Sequence, residues 1–210
     1  LMLADGTYGH GEAAPLPAYN GETQVQALNV LAEAGTAMRG RDAADWRALA
    51  REFRRAGGAG CGAAQAAFET AVLDALTRQR AEPLWKFFGG AGTELETGMT
   101  VTTGTPAEAV DGVRDIHRRG IRLIKVKIGG PLGVKHDLSR ISAIHEEAPD
   151  APLILDGNAG LTRGEASALV RGLKTAGIAP ALLEQWLPKD DLAGMRTLGA
   201  ESGWPVAADE

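Results

Sequence analysis

The chain has 210 residues, a formal net charge of −5, 44% hydrophobic and 23% charged residues, 28 glycines and 10 prolines, which is ample apolar material for a folded core. Mild acidity with scattered basic residues excludes a nucleic-acid footprint, and no apolar run approaches the ~18–20 residues of a membrane span. The Leu1–Asp5 segment has neither the basic nor the apolar region of a signal peptide, the single Cys61 excludes an internal disulfide framework, and a reducing, cytoplasmic location is expected.

Residues 1–55 have an α+β texture. Gly6–Glu12 is turn-rich and reads as strand ends and loops. Helices are predicted over Glu22–Met38, where Val25, Leu28, Val30 and Leu31 recur at helical spacing, and over about Ala43–Arg55. Ala56–Gly62 breaks the chain; it lacks the Gly-Lys-Ser/Thr ending of a phosphate cradle and reads as a connection. A long helix follows from Ala63 to about Gln79, with Ala67, Thr70, Ala71, Asp74 and Ala75 forming a small-residue stripe suited to close packing.

From Glu94 onward strands and helices alternate. Candidate strands are Glu94–Thr102, Arg122–Ile128, Leu153–Asn158, Ala181–Trp186 and Pro205–Glu210. Thr105, Pro106 and Glu108 spell a capping box with proline at the first helical position, and Thr162 with Glu165 repeats the box. His117, Arg118 and Arg119 before Gly120 suit a helix end, and Lys189-Asp190-Asp191 reads as a helix start with acids in the first turn. The fold class is α/β with parallel βαβ units, and this pattern alone leaves barrel and open sheet equally available.

The pleat of Arg122–Ile128 puts Ile124, Val126 and Ile128 on one face and Leu123, Lys125 and Lys127 on the other. A parallel sheet is usually covered on both faces, so the second face carries two ammonium groups inward. Two cations this close favour each other's neutral form, which makes a lysine basic at neutral pH. Asp156, Glu184 and Asp209 each end an apolar run, and the steps from Lys127 are 29, 28 and 25 residues, about one βα repeat each. One such acid alone would be a helix cap or a loop acid. Three in register lie where α/β proteins bind ligands. Converging carboxylates without a nearby Cys call for a hard divalent ion, Mg²⁺ first and Mn²⁺ second.

These residues resemble the enolase superfamily in its muconate-lactonizing subgroup, and within it most closely the dipeptide epimerases. The resemblance rests on Gly11-Glu12-Ala13-Ala14-Pro15, Lys125-Val126-Lys127, Asp156-Gly157-Asn158, Glu184-Gln185 and Ala208-Asp209-Glu210. It implies a partial TIM-type (β/α) barrel over 93–210, preceded by an incomplete α+β capping domain over 1–92. Lys127 would be the acid/base at the α-carbon, with Lys125 lowering its pKa and polarising the substrate carboxylate. Asp156, Glu184 and Asp209 would hold Mg²⁺, with Asn158 and Glu210 orienting around them, and proton abstraction would pass through an enediolate, the chemistry for which this superfamily is known. Leu16, Pro17, Ala18, Tyr19 and Asn20 would form the loop that covers the substrate.

No Lys or Arg occurs from Gly11 through Met38, so a neutral or hydrophobic dipeptide is expected as the small-molecule partner. The family's second base, a lysine on a later strand, would fall beyond Glu210. The chain therefore reads as a fragment that would be inactive alone; a homo-oligomer is compatible with this reading. Muconate cycloisomerase, o-succinylbenzoate synthase and N-succinylamino acid racemase share the same core and remain alternatives, as do a metal-independent Schiff-base aldolase and an inactive product.

Overall fold

The computed structural model describes residues 1–90, 92 and 94–209, without the side chains of Ala18 and Tyr19. The chain divides into two units, Leu1–Thr93 and Glu94–Glu210. The first holds α1 (Pro17–Asn20), α2 (Gln24–Ala37), α3 (Trp46–Arg55), α4 (Gly62–Gln79) and α5 (Leu84–Phe87). Thr23 starts α2 by accepting the Gln26 N–H. The helix expected from Ala43 is split: Ala43–Asp45 is a 3₁₀ turn, tightened where Asp42 accepts the Ala44 N–H, and α3 begins only at Trp46. A second 3₁₀ turn, Gly58–Gly60, occupies the glycine-rich break. The turn-rich beginning contributes one isolated antiparallel bridge, Met2 to Tyr8.

The core of this unit gathers Ala27, Ala34, Leu49, Phe53, Cys61, Ala64, Phe68 and Val72. Phe53 stacks on Phe68 with ring centroids 4.3 Å apart. The small-residue stripe of α4 has a definite use. A Cβ at Gly9 would stand 2.1 Å from the Ala71 carbonyl oxygen, and one at Gly11 would stand 1.9 Å from that of Ala67. Only glycine lets the Gly9–Gly11 backbone lie this close to the helix. Glu22 reaches the start of α4 from 40 residues earlier in the chain, accepting from the Gly62 N–H at 2.6 Å and the Ala63 N–H at 3.0 Å. It satisfies two of the helix's orphan donors with a negative charge at the positive dipole end.

In the second unit, β1 (Gly98–Val101), β2 (Leu123–Lys127), β3 (Leu153–Asp156), β4 (Leu182–Glu184) and β5 (Val206–Ala207) form one parallel sheet in chain order. Between them run α6 (Pro106–Arg118), α7 (Gly133–Glu147), α8 (Arg163–Ala176) and α9 (Leu192–Ser202). β1 is shorter than its sequence suggests, because Glu94–Thr97 stay outside the ladder and are exposed. Both capping boxes form with their reciprocal hydrogen bonds. Asp191 is the N-cap of α9, accepting from Gly194 N–H, rather than an acid inside the first turn.

Register sets the two faces. Val101, Val126, Leu155, Leu183 and Val206 share one row. They pack into a core with Val113, Ile116, Ile141, Ile144, Leu169, Leu173 and Leu198 of the helices. Trp186 is fully buried and donates its indole N–H to the Leu155 carbonyl at 2.8 Å, so it is a packing residue. Among the described residues no helix is long and apolar enough to cross a membrane.

Candidate active site

Pairing places Lys127, Asp156, Glu184 and Ala207 in one row at the C-terminal ends of β2 to β5. Lys125 lies two residues earlier on the same face, in the row of Thr100, Ile154 and Leu182. Ile124 and Val126 point the other way and are wholly buried. The alternation of β2 therefore places both ammonium groups on the face of the strand-end acids.

Asp156, completely buried, is the hub. Its Oδ2 accepts from Lys127 Nζ at 2.6 Å and faces Lys125 Nζ at 2.7 Å. Its Oδ1 accepts the Asn158 N–H at 3.0 Å. Lys125 also donates to Glu184 Oε1 at 2.6 Å, and Lys127 donates to Asn158 Oδ1 at 2.5 Å. Burial pushes the Asp156 carboxyl up, but the two lysines and the Asn158 amide outweigh it and hold the group below the ordinary carboxylate range. Burial likewise pulls Lys125 down, and its bonds to Asp156 and Glu184 reverse that, lifting it above the ordinary lysine value. This differs from the mutual neutralisation expected of Lys125 and Lys127 from their spacing. Here the Asp156 carboxylate sits between the two cations, and Lys125 is raised rather than lowered.

The loops that follow β3 and β4 extend the ladder. The N–H groups of Gly157, Ala159 and Leu161 donate to the carbonyls of Glu184, Gln185 and Trp186. Asn158, Ala159 and Gln185 take positive φ of 41°, 59° and 39° to allow this. Gln185, fully buried, accepts the Asp209 N–H on its side-chain oxygen at 2.7 Å and donates to the Leu187 carbonyl at 3.0 Å. It ties Asp209, two residues past β5, to the end of β4, a role its sequence neighbourhood alone does not reveal.

Asp156 and Glu184 thus converge on one cation, the Lys125 ammonium, at 2.7 and 2.6 Å. This all-oxygen pair fits a hard divalent ion. The full trio expected from spacing is not assembled: among the described residues, no three His, Cys, Asp or Glu side chains are grouped to hold an ion. Asp209 lies two residues past β5, outside the ladder, and is exposed; the Gln185 side chain holds its backbone N–H but does not set its side-chain direction. Glu210 lies outside the described residues, as do the side chains of Ala18 and Tyr19. The expected substrate loop contains the one-turn helix α1, with Leu16 exposed before it and Gly21 closing it at φ 77°.

Residues 1–89 match the family model for the mandelate racemase/muconate lactonizing enzyme N-terminal domain, and residues 108–210 match the enolase C-terminal domain-like model. The aromatic dipeptide epimerase of Herpetosiphon aurantiacus is 45% identical over all of this chain and 58% of its own length. A mandelate racemase/muconate lactonizing enzyme from Roseiflexus sp. superposes with a TM-score of 0.93 at 48% identity, over 99% of this chain and 59% of its own. A dipeptide epimerase from Enterococcus faecalis V583, solved with Mg and the dipeptide L-Leu-L-Tyr, gives a TM-score of 0.91 at 26% identity, over 99% of this chain and 58% of its own. The chain spans somewhat under two thirds of the length of each.

Proposed function

The chain belongs to the mandelate racemase/muconate lactonizing enzyme family of the enolase superfamily, its parallel sheet being part of that family's (β/α) barrel; on that premise we propose that the protein epimerises dipeptides by moving the proton α to a carboxylate. The observation that carries this reading is the cluster of Lys125, Lys127, Asp156 and Glu184 on one face at the strand ends. Lys125, two residues deeper on the same face of β2, is suited to grip a substrate carboxylate. Lys127, one pleat nearer the strand end, is the acid/base that meets the α-carbon. Asn158 aims it, since its side-chain oxygen accepts from Lys127 Nζ while its own N–H anchors to Asp156. Positioned acid–base catalysis of this kind contributes ~10²–10⁴-fold.

Asp156, Glu184 and Asp209 would hold Mg²⁺, with Mn²⁺ as a substitute, and the ion would supply positive charge for the electron density that reaches the substrate carboxylate when the proton leaves. Gln185 holds the backbone of Asp209 at the rim of the site, and Glu210 would orient the group around it. The segment Leu16, Pro17, Ala18, Tyr19, Asn20 is proposed to cover the substrate. Its lack of Lys and Arg, together with the aromatic specificity in the name of the Herpetosiphon relative, favours a neutral or hydrophobic second residue.

The test uses the full-length protein with Mg²⁺ in D₂O, following the α-proton signal of L-Ala-L-Phe, L-Leu-L-Tyr and L-Ala-L-Glu by NMR. Deuterium incorporation with epimerisation is expected, fastest on the neutral dipeptides and lost in a chelator. Preference for L-Ala-L-Glu would refute the specificity. Absence of exchange on every dipeptide, or formation of a double bond instead, would refute the reaction.

A further inference from the structure

Behind the lysine-bearing strand lies a buried ion pair that the chemistry above leaves unused. Asp137 and Arg140 of α7 are 2% and 1% exposed, with Arg140 Nη1 and Asp137 Oδ1 3.4 Å apart. Arg140 donates Nη1 to the Lys127 carbonyl at 2.9 Å and Nη2 to the Thr102 carbonyl at 2.5 Å. Asp137 accepts the Gly129 N–H at 2.8 Å, where the chain turns away from β2 at φ 78°. Two side chains of one helix therefore hold a carbonyl at the end of β1, a carbonyl at the end of β2, and the turn that follows Lys127.

Stability alone does not account for this pair. Burying two charges is costly, and well-packed apolar residues often stabilise as well or better. Arg140 also leaves its Nε without a hydrogen-bond partner, the sole buried side-chain polar atom so placed among the described residues. The guanidinium is spread to reach both strand ends at the expense of one donor. What an apolar pair lacks is direction: it cannot fix the rotation of a peptide group. The peptide fixed here is the one that follows Lys127, whose ammonium must reach Asp156 Oδ2 and Asn158 Oδ1 on the opposite face.

We propose that Asp137 and Arg140 are positioning residues that set the direction of the Lys127 side chain. The inference rests on the reading of Lys127 as the acid/base, because positioning matters to rate only if Lys127 moves the proton. Displacing a reacting group by about 1 Å costs on the order of 10²-fold in rate.

The variants are Arg140→Met, which strands Asp137; Asp137→Asn with Arg140→Met, which removes both charges together; and Arg140→Lys, which keeps the charge but cannot reach both carbonyls with a planar fork. Two readouts are taken on molecules shown to be folded by cooperative thermal unfolding. One is the labelling of Lys127 relative to Lys125 by an amine-reactive reagent, resolved by peptide mass spectrometry, and it needs no turnover. The other is kcat and KM for the preferred dipeptide. The double variant is expected to change the labelling ratio about threefold or more and to lower kcat about tenfold or more with KM little changed; Arg140→Lys should recover part of both. A labelling ratio at the parental value in folded Arg140→Met or in the folded double variant overturns the proposal, whatever the rate does. If the parent epimerises nothing, the functional reading fails while the labelling ratio still decides the positioning role.

Discussion

Among the described residues of 1–93, the buried polar side chain is Thr77, whose hydroxyl turns back to the Leu73 carbonyl of its own helix; in 94–210, Asp137, Arg140, Asp156, Gln185 and Ser202 are all buried. The first unit keeps its charges at the rim, as in Arg41 with Glu52 and Arg78 with Asp74, and fills its interior with alanine, phenylalanine and leucine. The second accepts the desolvation of charged groups and meets it with several hydrogen bonds each. Four of its five buried polar residues lie at or behind the C-terminal ends of the strands. The cost is concentrated where the proton transfer is proposed, and the first unit carries none of it in its interior.

That contrast predicts opposite responses to substitution. Lys127→Ala in the full-length protein should lose ~10²–10⁴-fold in kcat, with thermal stability little changed because the side chain is partly exposed; a variant with near-parental α-proton exchange would break the assignment. Gly11→Ala should do the reverse. Its methyl group would press on the Ala67 carbonyl, so about 1–3 kcal/mol of stability should be lost, read by denaturant unfolding.

The smallest effect concerns pH. Asp74 is held below the ordinary carboxylate range by the His10 backbone N–H and the Arg78 side chain. A depressed carboxylate stabilises above its unfolded value of about 3.9 and loses that contribution as pH falls through its folded value. Asp74→Asn should therefore be slightly less stable than the parent at neutral pH, with the gap closing in acid below about pH 4; a gap that persists at pH 2 would contradict the assignment.

What could be read from the chain follows the range of the interaction. The capping boxes Thr105–Glu108 and Thr162–Glu165 span four residues and form as expected. The faces of β2 follow from alternation alone, and the inward pair Lys125 and Lys127 with them. The pairing of Lys125 is not legible, because its partners lie on the next two strands and only folding brings Asp156 and Glu184 to it. The role of Arg140 is hidden in the sequence for the same reason: its carbonyl partners are 13 and 38 residues away. Asp191 was legible as an acid near a helix start, though a spacing argument does not separate a cap from a first-turn residue.

The chain between Gly11 and Glu22 has both its feet on one support. Gly11 is pressed against the second turn of α4, and the Glu22 carboxylate is fastened to that helix's first amides. Whatever lies between them, α1 included, can lengthen, shorten or change character while its two anchorages stay put. A lineage could thus retune what the strap touches by rewriting ten codons, without disturbing the frame that carries it.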